Sequence, residues 1–81
     1  QFYYHEIIDY QVQDRNLGLL GYVKEVYSTG AQDVIIMIFK SKEVLIPLID
    51  EIVPKVDKKE KIVFTQLPEG LLEVYLEDDA N

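Results

Sequence analysis

Apolar residues along this chain come in short bursts, each ended by a polar or proline-containing turn, and no stretch sustains a long helical period. Residues 11–13 read as a short strand. Asp14-Arg15-Asn16-Leu17-Gly18 then supplies the Asp, Asn and Gly of a tight hairpin connection, and residues 20–27 form the return strand. Val23 and Val26 fall on opposite faces under strict alternation, so a bulge near Lys24 and Glu25 is expected if both reach the core. After the turn Ser28-Thr29-Gly30-Ala31-Gln32, residues 33–40 carry Val-Ile-Ile-Met-Ile-Phe between polar ends. That is the pattern of a central strand covered on both faces. Ser41-Lys42-Glu43 is expected to turn the chain into residues 44–47.

The run from Val44 to Asp57 contains two apolar bursts stopped by Pro47 and Pro54. Each proline lacks a backbone donor and fixes φ, so the segment reads as two extended pieces joined at a corner, with neither proline in a central strand. Leu45 and Ile46 are expected in the core, Pro47 at the corner, and residues 52–56 in the second piece. Asp57-Lys58-Lys59-Glu60-Lys61 reverses the chain, and residues 62–65 pair back. Residues 4–9 are expected to form a helical turn, and residues 70–76 a short amphipathic helix or a final strand. Strands of this length at this spacing predict an all-β fold, a small closed or nearly closed barrel of about six short antiparallel strands.

With 81 residues and 48% hydrophobic content the chain fits one domain. It begins at Gln1 with sequence that already looks packed, which suggests a domain cut from a longer protein. Cysteine is absent, which removes disulfides, thiolate metal sites and thiol nucleophiles. The longest apolar run, residues 34–39, is far below the ~20 residues of a membrane helix, so no membrane partner is expected. Fifteen acidic against eight basic groups give a net charge of -7, which favours a basic protein partner over nucleic acid. Lys55, Lys58, Lys59 and Lys61 cluster, but Asp57 and Glu60 interleave with them, as in a solvated turn.

Candidate chemistry is sparse. His5 is the only histidine and the serines are Ser28 and Ser41, both in expected turns, so neither a catalytic residue nor an enzyme is expected. The carboxylate pairs Asp50/Glu51 and Asp78/Asp79 read as surface acids. Asp14, Asn16 and Gly18 share little with a calcium loop, lacking its glycine offset and closing glutamate, and no glycine-rich phosphate loop is present. No metal, cofactor or small-molecule substrate is therefore expected. Phe2, Tyr3 and Tyr4 are consecutive and cannot all enter one core, so at least one either caps the barrel or meets a partner.

Phe2-Tyr3-Tyr4-His5-Glu6-Ile7-Ile8, Gly18-Leu19-Leu20-Gly21-Tyr22-Val23, Thr29-Gly30-Ala31-Gln32-Asp33-Val34, Val44-Leu45-Ile46-Pro47, Val56-Asp57 and Leu67-Pro68-Glu69-Gly70-Leu71-Leu72 together resemble the PRC-barrel domain of the ribosome maturation factors called RimM. The resemblance implies a bacterial cytoplasmic factor, non-catalytic, that assists assembly of the 30S subunit and processing of 16S rRNA. It also implies a barrel domain upstream and a partner in the small-subunit head protein numbered nineteen. Residues 1–9 would be the junction segment, 10–75 the barrel and 76–81 a flexible acidic tail. The family's adjacent tyrosines, tied to ribosome association, map onto Tyr3 and Tyr4. With Phe2 they are the expected partner-binding anchors, and Asp9, Glu25, Asp50 and Glu51 the acids that attract the partner. Asp9 stands where the family often has glycine, so a different backbone is expected in the first turn. Other readings are a PRC-barrel scaffold such as the H subunit of a photosynthetic reaction centre, and direct RNA contact through the four clustered lysines.

Overall fold

The computed structural model describes residues 4–79. A 3₁₀ helix over Tyr4–Ile7 leads into β1 (Gln11–Asp14), β2 (Gly18–Ser28), β3 (Asp33–Phe39), β4 (Lys42–Pro47), β5 (Lys55–Asp57) and β6 (Ile62–Thr65), and α1 (Leu71–Asp79) follows. The six strands form one sheet in the order β4-β3-β2-β1-β6-β5. The fold class is all-β with a single short α-helix among the described residues. The ends differ from expectation in one respect: α1 continues to Asp79, through residues assigned from sequence to the acidic tail.

Two features of the expected barrel are corrected. The β1–β6 ladder is parallel, pairing Gln11 with Ile62 and Asp14 with Thr65, while the other four ladders are antiparallel. Hairpin neighbours must run antiparallel, but strands brought together from the two ends of the chain are free of that rule. The sheet also does not close, because no ladder among the described residues joins the edge strands β4 and β5. Instead α1 lies against the β4 edge. The Leu45 N–H donates to the Tyr75 hydroxyl at 3.2 Å, and Leu72, Tyr75 and Leu76 pack on the core.

The sheet curls because β2 serves two halves. Its first part pairs with β1 and its second with β3, and Tyr22 is shared, facing both Gln11 and Ile38. Beside it a Cβ on Gly21 would stand 1.8 Å from the Ile38 carbonyl oxygen, so only glycine allows this approach. The expected bulge is present as a register shift between Val23 and Glu25, and it leaves both Val23 and Val26 buried. The inner face thereby gathers Val12, Val23, Ile35, Met37, Ile46 and Val63 into one core, with Ile7 and Leu72 added from outside the sheet.

Alternation decides the residues where sequence reading failed. Val44 and Ile46 are fully buried, so Leu45 between them faces outward, 41% exposed, rather than joining the core. The outer side of β3, Val34, Ile36 and Ile38, is only half-buried, because β3 is next to an edge and its second face is incompletely covered. Lys40 and Ser41, at φ 50° and 65°, form a two-residue turn whose left-handed backbone suits the twist of a hairpin. Lys42 and Glu43, expected in that turn, belong to β4. The corner lies beyond Pro47. There the Ile49 carbonyl accepts the N–H groups of Ile52 at 3.0 Å and Val53 at 2.7 Å, and this delays β5 to Lys55–Asp57. Both prolines avoid central strands, Pro47 ending an edge strand and Pro54 preceding one.

Gly21→Ala is expected to cost about 3 kcal/mol or more in urea unfolding, since the clash is with backbone. The double change Lys40→Asn, Ser41→Gly is expected to raise stability by about 1 kcal/mol in the same assay, because it relieves two left-handed residues.

Candidate functional site

The expected partner-binding residues are spread over the fold. Phe2 and Tyr3 lie outside the described residues, and Tyr4 contributes its backbone to the 3₁₀ helix. The segment behind them is firmly seated. Ile7 is fully buried, the Asp9 N–H donates to the Val23 carbonyl at 2.8 Å, and the Val23 N–H returns to the Tyr10 carbonyl at 2.9 Å. Asp9 adopts φ 74°, a left-handed conformation that favours glycine and that aspartate tolerates better than most residues, so the turn keeps a glycine-like backbone after all. Its exposed side chain lines a shallow groove of about 520 Å³ with Glu6, Ile8, Tyr10, Lys58 and Lys61, and Glu6 pairs with Lys58 at 3.1 Å.

Glu25 stands exposed at the β2 bulge, where its Oε1 accepts the Val26 N–H at 3.1 Å. Asp50 and Glu51 are exposed in the turn after β4, apart from the Asp9 segment. The outward face of β2, β3 and β4 between these points carries Tyr22, Tyr27, Ile36, Ile38 and Leu45. Glu43 pairs across it with Lys24 and, by hydrogen bond and charge, raises the Lys24 ammonium above its usual pKa. The lysine cluster is partly engaged: Lys55 lies over the Phe64 ring at 5.5 Å, and Lys58 pairs with Glu6. Among the described residues no three of His, Asp and Glu gather where a metal ion could sit.

Sequence reading missed a groove of about 440 Å³ between the β1–β2 turn and the start of α1. Asp14, read as a turn residue, sits only 3% exposed in its wall. Its Oδ2 accepts the N–H groups of Asn16 at 3.0 Å and Leu17 at 3.2 Å, and its Oδ1 accepts the Thr65 hydroxyl and the Leu67 N–H, each at 2.8 Å. Burial alone would raise the Asp14 carboxyl, but the bonds from Leu67, Thr65, Asn16 and Leu17 outweigh it and hold the pKa below the ordinary aspartate value. The carboxylate therefore ties the hairpin turn to the chain leading into α1. The Asp-x-Asn signal announced only the local half of this. The only sequence sign of a surface here was Leu17, an apolar residue in a polar turn, which is 58% exposed.

A family profile described as the RimM PRC barrel domain matches residues 4–71. The chain is 38% identical over 76 residues to the ribosome maturation factor RimM of Flavobacterium psychrophilum, covering 94% of this chain and 44% of that protein. To the factor of the same name from Christiangramia forsetii it is 41% identical over 76 residues, 94% of this chain and 43% of the other. A solved structure of a 16S ribosomal RNA processing protein RimM from Pseudomonas aeruginosa shares the fold with a TM-score of 0.74 at 24% identity, over 83% of this chain and 44% of that one. The chain thus spans less than half the length of the curated relatives it matches.

Asp14→Asn replaces one acceptor oxygen by a donor facing backbone N–H groups, and is expected to cost about 2–3 kcal/mol at neutral pH in chemical unfolding. The folded carboxyl titrates below the ordinary value of 3.8, so its contribution is present above that pH and is lost as pH falls through the folded pKa. The gap between wild type and variant should accordingly be constant near neutrality and shrink below about pH 4.

Proposed function

Because the chain belongs to the RimM PRC-barrel family, we propose that it is the protein-docking domain of a ribosome maturation factor, binding the small-subunit head protein numbered nineteen and assisting 30S assembly and 16S rRNA processing without catalysis. The observation that carries this reading is the family match across 4–71, with the paired tyrosines at its edge. The net charge of -7 supports a basic partner, since opposite charge speeds encounter and disfavours wrong partners. In this mechanism Phe2, Tyr3 and Tyr4 are anchors whose presentation depends on the buried Ile7 and the Asp9–Val23 bond. Exposed Asp9, Glu25, Asp50 and Glu51 steer the encounter. Aromatic rings supply affinity by desolvated burial, and the scattered acids act through a field that needs no single focus.

Direct RNA contact through Lys55, Lys58, Lys59 and Lys61 is less well supported, because Glu6 engages Lys58 and Asp57 and Glu60 dilute the charge. A scaffold role in another assembly has no particular observation in its favour.

The test is co-sedimentation with small subunits and direct binding to the purified head protein, each at two salt concentrations. Tyr3→Ala with Tyr4→Ala should weaken binding at least about tenfold while leaving the circular dichroism spectrum intact. Neutralising Asp9, Glu25, Asp50 and Glu51 to amides should slow association and flatten its salt dependence. Unchanged affinity in a folded double-tyrosine variant would sink the anchor assignment. No binding by the wild-type chain would overturn the docking reading.

A further inference from the structure

We propose that the groove between the β1–β2 turn and the start of α1 seats a basic, aliphatic segment of the partner protein; this rests on the docking reading above and names where the partner's chain lies. At about 440 Å³ the groove can take a few side chains, as pockets of roughly 300–1,000 Å³ do. Leu17, Leu67, Pro68 and Leu72 give it apolar walls, and Leu17 presents most of its surface to solvent at the hairpin tip.

Charge selects the occupant. Of three grooves in the surface, the one at Asp9 sets Glu6 and Asp9 against Lys58 and Lys61, and the one beside Phe64 carries Arg15 and Lys55. The groove at Leu17 is lined by Glu69 and Glu73, both exposed, and by no lysine or arginine. The Asp14 charge does not compete for a ligand there, because both its oxygens already accept two bonds each from the protein. A lysine or arginine whose stem lies along the leucines can place its head between the two glutamates. An acidic or nucleic-acid ligand would meet the charges of Glu69 and Glu73, offset only by the N–H dipoles at the start of α1.

The groove is also set before anything binds. Asp14 fixes the backbone of Asn16 and Leu17 on one wall and of Leu67 on the other, so little of the binding free energy is lost to ordering. Glu73 sits in the first turn of α1, where its charge also favours the helix dipole, so Glu69, which precedes the helix, is the cleaner charge to reverse.

The experiment measures equilibrium binding of the full chain to the purified small-subunit head protein numbered nineteen. Wild type is compared with Leu17→Ser, Leu17→Met, Glu69→Lys and, on the outer face of the sheet, Leu45→Ser. Leu17→Ser and Glu69→Lys should each raise Kd about tenfold, and Glu69→Lys should also flatten the salt dependence. Leu17→Met and Leu45→Ser should bind as wild type. If wild type and both groove variants bind equally, the groove is overturned while the docking reading stands. Loss of binding confined to Leu45→Ser would place the partner on the outer sheet face and overturn the groove. Failure of wild type to bind overturns the docking reading and this occupant together. Self-association of wild type that Leu17→Ser abolishes would give the groove to a second copy of the chain and likewise overturn the proposal. Circular dichroism checks that each variant is folded, as expected for changes at exposed positions.

Discussion

The architecture turns on one buried carboxylate. β1 and β6 come from opposite ends of the chain and run parallel, an arrangement no hairpin enforces, and Asp14 sits where they finish together. By accepting the Thr65 hydroxyl it links the two strands through side chains, and through Asn16, Leu17 and Leu67 it fixes what leaves each of them. Its four bonds compensate a charge that would otherwise be costly to bury. The Arg15 N–H adds a bond to the Thr65 carbonyl at 2.8 Å, so backbone and side chain lock the same junction.

From this junction the sheet curls by way of β2, and the curl positions the surfaces on either side of it. Gly21 lets β2 approach β3 closely, and the bulge after Val23 keeps the inner face apolar while turning Glu25 outward. The segment behind the tyrosines is clipped to the same stretch of β2 through Asp9, Tyr10 and Val23. The Asp9–Tyr10 segment, the bulge and the outer sheet face thus share one strand.

What could be read from the sequence was whatever is encoded locally. The β1–β2 connection, the bulge and the proline positions follow from turn chemistry and the period of two and were legible, while the β3–β4 turn ends two residues earlier than its polar residues suggested. Leu45 was not, because a run of apolar residues hides which member faces inward until a neighbouring strand fixes the pleat. The parallel β1–β6 pair and the second half of the Asp14 network join residues 51 and 53 positions apart, and no pattern in one sequence announces such contacts. The candidate site divides the same way. The exposed acids were legible as surface residues, whereas the groove at Leu17 exists only once two distant segments are brought together.

An open sheet is vulnerable at its rims, and the Tyr75–Leu45 bond shows how this one is guarded. The outward N–H of Leu45 is taken by the Tyr75 hydroxyl, and two residues on, where alternation would present the next outward donor, stands Pro47, which has none. A strand from a neighbouring molecule therefore loses two outward donor positions in a row along β4 while α1 stays docked. The helix that follows the sheet thus covers part of an edge its own chain leaves open.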